Sequence, residues 1–300
     1  MVVVEKTLYY PGEVVNGEVV YEVEEEIKVR NIVIEMACSE RADIPATKTT
    51  ARGHSRPHTY RISNPLFTQE IIVVGEGTIQ SGTHRFPFSF TIPEDAPPSY
   101  QTRFGRIIYA VRTHADIPWR SDIGGSASFT VGIPSNYLTK LPTPNTFFSP
   151  NATDLIGDMA LLSEMGGNPA MCSTDDKPSF RVDIFNNIVT AGQLLEGSLI
   201  VANITPKLRA IELKLTSVEQ AGGKGMGIKY VDLLQPKVVI PASDLVENTS
   251  INFQIPVPAE APPSYKGQIF SNRWTLKCTL DLAWARDVSA ETEIIVINCI

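Results

Sequence analysis

Phe86-Pro87-Phe88-Ser89-Phe90-Thr91-Ile92-Pro93-Glu94-Asp95-Ala96-Pro97-Pro98-Ser99-Tyr100 decides the fold of this chain, because its last five residues return as Ala261-Pro262-Pro263-Ser264-Tyr265. With Pro93 set on Pro258, the two stretches align without a gap from Phe88 on Phe253 to Trp119 on Trp284. Asp116 and Trp119 recur in the second copy, as Asp281 and Trp284. Between them Tyr109, Val111, Thr113, Ala115, Ile117 and Trp119 alternate with a second set, and Trp274, Leu276, Cys278, Leu280, Leu282 and Trp284 do the same. Alternation of period two marks a half-buried strand, so each set reads as the inward face of one. An internal repeat has to be found before a fold is assigned, and here it spells a duplicated domain.

The duplication reaches further back. Pro11-Gly12-Glu13-Val14-Val15-Asn16-Gly17 parallels Ala191-Gly192-Gln193-Leu194-Leu195-Glu196-Gly197, and each leads into a strand, 18–23 and 198–203. A second strand follows in both, with Ile32, Ile34 and Met36 matching Ile211, Leu213 and Leu215. The second copy is shorter in its middle by about fifteen residues, a difference that surface loops absorb at small free-energy cost. It falls within 42–82 of the first copy, which reads as a long variable insertion. Gly and Pro punctuate the strands and helical periodicity is nearly absent, as in β-sandwiches. The expected fold is therefore all-β: two tandem immunoglobulin-like β-sandwich domains, 1–133 and 178–300, joined by a Pro-rich linker over 134–177. Within that linker, 154–162 predicts one short helix, stopped by Gly166-Gly167, with Leu155, Ile156, Met159 and Leu162 on the face that docks against a sandwich.

Composition bounds the function. Three hundred residues suffice for two ordinary cores. A net charge of −7 argues against non-specific nucleic-acid binding. No run approaches the roughly 18 apolar residues of a membrane span. Met1-Val2-Val3-Val4-Glu5 has neither the basic region nor the apolar core of a secretory signal, so the expected location is cytoplasmic or peripheral to membranes. Four widely spaced cysteines with no C-x-x-C pair read as reduced structural thiols.

Pro97-Pro98-Ser99-Tyr100 and Pro262-Pro263-Ser264-Tyr265 have the P-P-x-Y form that WW domains read on an accessible polyproline II helix. Both copies lie between strands at equivalent positions, which favours a structural corner. Residues 41–61 carry Arg41, Lys48, Arg52, Arg56 and Arg61 with His54 and His58 against one acid, Asp43. A mobile basic loop there, acting through Lys48, Arg52, Arg56 and Arg61, would hold phosphorylated tails or anionic lipid headgroups. The competing reading is a solvated loop that balances Glu22, Glu24, Glu25 and Glu26. His54 and His58 have the spacing of metal ligands on a helix, but Pro57 stands between them, so no metal is expected. Gly222-Gly223-Lys224-Gly225-Met226-Gly227 lacks the Ser/Thr of a phosphate loop and reads as a hairpin or flexible loop. With no nucleophile elbow or carboxylate pair in view, the chain reads as a non-enzyme without cofactor.

Tyr9-Tyr10-Pro11-Gly12-Glu13-Val14-Val15-Asn16-Gly17-Glu18-Val19 resembles the opening strand–turn–strand of arrestin-domain proteins. The stretch from Phe86 to Pro93, with Pro97-Pro98-Ser99-Tyr100 and Ile108-Tyr109-Ala110-Val111-Arg112, resembles that family's most recognisable segment. Asp116-Ile117-Pro118-Trp119 and Ser128-Phe129-Thr130-Val131 are similar to the closing strands of the same domain. The likeness is greatest to the α-arrestins, and it extends to the arrestin-like retromer subunit and the bacterial sporulation-control proteins. It implies an adaptor whose concave sandwiches bind other proteins: membrane-protein tails, trafficking components or ubiquitin ligases. The alternative it leaves open is a structural subunit of a retromer-like or other protein-sorting assembly. In α-arrestins the P-P-x-Y ligands lie in a C-terminal tail, whereas this sequence ends at Ile300 just after a strand-like run, so ligase recruitment through a tail is not expected.

Overall fold

The computed structural model describes residues 1–49, 55–119, 123–133, 144–152, 177–223, 226–231 and 235–297. The first sandwich opens with β1 (Val2–Val4), β2 (Leu8–Tyr9), β3 (Val14–Val23) and β4 (Ile27–Val29). The long β5 (Asn31–Thr49) and β6 (Ser55–Val74) follow, then β7 (Gly77–Ile79) and β8 (Gly82–Thr91). β9 (Tyr100–Gln101), β10 (Gly105–Asp116) and β11 (Ile123–Val131) complete it. One sheet has the order β1-β3-β8 and the facing sheet β2-β11-β10-β5-β6, with β9 on β10.

The second sandwich contains β12 (Asn145–Phe148), β13 (Ser179–Ile184), β14 (Ile188–Thr190), β15 (Leu194–Ala202) and β16 (Leu208–Gly223). Then come β17 (Met226–Val231), β18 (Lys237–Pro241), β19 (Ile251–Pro256), β20 (Tyr265–Lys266), β21 (Phe270–Leu282) and β22 (Val288–Ile297). Its sheets run β12-β13-β15-β19 and β14-β22-β21-β16-β17. The duplication shows in the pairing itself: β2 lies parallel to β11 as β14 lies parallel to β22, with the other neighbours antiparallel. β12 comes from the stretch read as linker and pairs with β13, so Asn145–Phe148 belongs to a sheet of the second sandwich. The helix expected over 154–162 lies outside the described residues.

Alternation places the cores as the sequence predicts over most of each strand. Tyr109, Val111, Thr113 and Ala115 are buried, and so are their counterparts Trp274, Leu276, Cys278 and Leu280. Tyr109 and Trp274 have no exposed surface, and burying an aromatic ring contributes roughly 2–3 kcal/mol. Gly17 and Gly197 mark the same close approach twice. A Cβ at Gly17 would stand 2.4 Å from the ring of Phe88, and one at Gly197 2.6 Å from Phe253. Any larger residue would also collide with the backbone carbonyl of the neighbouring strand, Val3 O at 2.2 Å or Asp183 O at 2.5 Å.

The alternation misplaces two residues. Trp119 and Trp284, read as inward, are fully exposed, at 101% and 103%. The reason is that β10 ends at Asp116 and β21 at Leu282, and the backbone then turns through positive φ, 63° at Trp119 and 61° at Trp284. The turn swings each indole off the strand's inner face.

The region read as a mobile basic loop also has a different form. Residues 41–49 and 55–61 are the arms of the β5–β6 hairpin, and only 50–54 lie outside the described residues. Ala42 and Ile44 point into the core while Arg41 and Asp43 stand on the opposite side. Hidden among charges and Pro45, this short alternation does not stand out in the sequence. β6 pairs with Glu40 at Asn64 and β17 with Glu219 at Tyr230, so the hairpin beyond runs over 41–63 in the first sandwich and only 220–229 in the second. The shortfall of the second copy lies in this hairpin.

Candidate functional site

Each Pro-Pro-Ser-Tyr segment is fastened by its own sandwich in the same way. The Tyr109 hydroxyl donates to the Pro97 carbonyl, and at the equivalent place the Trp274 indole N–H donates to the Pro262 carbonyl at 2.8 Å. Ser99 N–H donates to Val131 O at 2.7 Å while Val131 N–H donates to Ser99 Oγ at 2.9 Å. Ser264 and Val296 repeat that exchange at 2.7 and 3.0 Å. The serine thus acts as one more strand rung against the last strand of its domain. This explains the residue type at the variable position of the motif.

The two corners then meet. Tyr100 is buried, and its ring lies against Tyr265 and Phe270 of the second sandwich. Its hydroxyl donates to the Pro263 carbonyl at 2.5 Å, and Asn272 Nδ2 donates to Pro262 O and Pro263 O. Burial raises the Tyr100 and Tyr265 phenols above their usual range, with the nearby Glu219 and Glu40 carboxylates adding to the shift. Pro97, Pro98, Tyr100, Pro263 and Tyr265 line a mostly apolar cleft of about 370 Å³ between the sandwiches. Pro262 lines a more polar hollow on the side of Glu219 and Asn272.

Of the cationic residues named from sequence, Arg56 and Arg61 lie on β6, exposed. Lys48 lies opposite Arg56 in the β5–β6 register, and Arg52 falls outside the described residues. Arg61 Nε stands 3.6 Å from Asp43 and Arg106 3.0 Å from the same carboxylate. Arg41 faces Arg106 across β5 and β10, and the Nε atoms of both are buried without a hydrogen-bond partner. Sequence reading passed over Arg106, because its place beside Arg41 depends on strand pairing across more than sixty residues of chain. His58 packs edge-on against Tyr60 at 4.6 Å. Among the described residues no group of His, Cys, Asp or Glu has the arrangement of a metal site, and no helix is long and apolar enough to cross a membrane.

Comparison with known proteins places this geometry. The family model described as "Arrestin (or S-antigen), N-terminal domain" matches residues 4–137. Arrestin domain-containing protein 17 of Caenorhabditis elegans is 33% identical over 155 residues, covering 48% of this chain and 36% of that protein. Arrestin domain-containing protein 1 of Mus musculus is 33% identical over 57 residues, covering 19% of this chain and 13% of that protein. The matches thus span well under half the length of these relatives. The first sandwich matches the arrestin N-terminal domain, and the second repeats its strand pairing and its corner.

Proposed function

We propose that this protein is a non-enzymatic arrestin-like adaptor of the cytoplasm and membrane surface. Its sandwiches would bind membrane-protein tails or components of the trafficking and ubiquitination machinery. The observation that carries this reading is the cationic distal part of the β5–β6 hairpin, residues 41–61, on a chain of net charge −7. Lys48 stands opposite Arg56, and Arg61 and Arg106 share the single carboxylate of Asp43. Like charges directly opposite one another weaken a hairpin, and an anionic partner between them reverses the sign of that contribution. Guanidinium forks suit phosphate and carboxylate groups, and cations near a membrane are drawn to anionic headgroups. In this reading the Pro-Pro-Ser-Tyr segments are corners of the scaffold and not ligands. The test is binding of phosphorylated peptides and of phosphatidylserine vesicles to wild type and to an Arg52→Glu, Arg56→Glu, Arg61→Glu variant. Wild-type binding that weakens with salt and is lost in the variant supports the hairpin; equal binding by both removes it.

A second reading, a structural subunit of a protein-sorting assembly, is favoured by Trp119 and Trp284. Each stands fully exposed just past the end of β10 or β21, and tryptophans are frequent anchors of protein interfaces. Light scattering after size exclusion of native extract separates the two, since a stable hetero-complex belongs to the second reading alone.

A further inference from the structure

Two buried glutamates cross the boundary between the sandwiches in opposite directions. Glu40 on β5 has no exposed surface, and Glu219 on β16 is 5% exposed. They occupy equivalent places: Glu40 lies opposite Ile107 on β10 and Glu219 opposite Asn272 on β21, positions that the repeat alignment superposes. Glu40 Oε1 accepts from the backbone N–H groups of Ile269 and Phe270, at 3.1 and 3.2 Å, and its Oε2 from Gln268 N–H at 3.2 Å. Glu219 Oε1 accepts from Phe104 and Gly105 N–H, at 2.9 and 3.1 Å, and from the Thr102 hydroxyl. Phe104 and Gly105 align with Ile269 and Phe270, so each carboxylate grips the same loop of the other sandwich.

The surroundings are fitted to this exchange. Gly267 has no room for a side chain, since a Cβ there would stand 2.0 Å from Glu40 Oε1. A Cβ on Gly105 would stand 2.3 Å from the Phe270 ring. Among the described residues neither carboxylate has a cationic partner within ion-pair distance. A buried carboxylate needs donors to replace its hydration, and apart from Asn64 the donors to Glu40 come from the other sandwich. The core of the second sandwich contains no residue of the first, so it does not depend on this contact.

We propose that Glu40 and Glu219 form a reciprocal latch that fixes the orientation of the two sandwiches, so that opening either grip opens both. Separation of the domains exposes both carboxylates at once. A mere loop cap would instead act only on the loop that it touches.

Amide hydrogen exchange of the full chain distinguishes these. In Glu40→Gln the amide group of the new side chain faces the backbone donors of 268–270. The latch predicts exchange about tenfold faster or more at 268–270 and, equally, at 104–105, which Glu40 does not touch, with β3 and β15 unchanged. Glu219→Gln predicts the same pattern from the other side. Faster exchange confined to the loop that the mutated residue grips overturns the latch, as does no change at either loop. If Glu40→Gln also loses protection in β3 or β15, Thr102→Val replaces it, removing one donor to Glu219 and no charge. Acceleration at 268–270 in that variant supports the latch, and its absence there overturns it.

Discussion

The ring of Tyr100 lies 5.2 Å from the ring of Tyr265 at 38°, so the two copies of one motif touch across the domain boundary. A tilted aromatic pair of this kind contributes about 0.5–1.5 kcal/mol beyond burial. The contact turns a duplicated sequence into a pseudo-symmetric joint, with Phe270 stacked on both tyrosines at 5.5 and 4.7 Å.

A WW domain should therefore bind free peptides spanning 94–103 and 259–268 but not the folded chain, because the Tyr100 ring and hydroxyl are already engaged. Calorimetric titration checks this. Binding by the native protein as tight as that of the peptides would show that the corners open in solution.

Gly105→Ala should lower stability by about 1–3 kcal/mol, because the new methyl meets the body of the Phe270 ring, which cannot swing aside like a chain end. Gly77→Ala, with nothing within 4 Å of its Cβ, should change stability by less than about 0.5 kcal/mol. Urea midpoints of the two variants decide it, and equal midpoints would contradict the packing described.

Trp119→Asn and Trp284→Asn should leave stability unchanged or raise it by up to about 1 kcal/mol. Both indoles are fully exposed on left-handed backbone, a conformation that asparagine tolerates better. Thermal melts test this. A loss greater than about 1 kcal/mol in either variant would mean that its indole packs against the fold.

Stability should decline as pH rises above about 9. Burial pushes the Cys38 thiol up to about 12 and raises the Cys278 thiol and the Tyr109, Tyr100 and Tyr265 phenols. Above the ordinary thiol and phenol values the unfolded chain releases protons that the native chain retains. The contribution of these groups is thus complete below pH 9 and is lost as pH climbs toward the raised values. Denaturant midpoints from pH 7 to 11 should be flat at first and then fall. In parallel, a thiol reagent at pH 8 should leave Cys38 and Cys278 unmodified until denaturant is added. Rapid native labelling of either would refute their burial.

The repeat was legible because it is written in local residue types. Pro-Pro-Ser-Tyr, the glycines at 17 and 197, and the alternation beginning at Tyr109 and Trp274 each carry their physical reason within a few residues of chain. The same locality misled at Trp119 and Trp284, where period two was carried past the point at which the backbone turns. It also hid the hairpin arms at 41–49 and 55–61, whose pairing brings Asp43 beside Arg61 and Arg106. The cationic character of that hairpin was readable, but its shape was not.

By itself the sequence determined that there are two all-β units, and most of the strands and core faces that build them, because strand periodicity and turn chemistry act over short distances. Only the tertiary structure decided how the units meet. Glu40 and Glu219 look like ordinary strand glutamates until β5 is set against the 268–270 loop and β16 against 104–105. Those partners lie more than a hundred residues away, and no local pattern records them. Such a buried carboxylate finds its backbone donors only when the other domain brings its amide groups, so its role is a property of the joint.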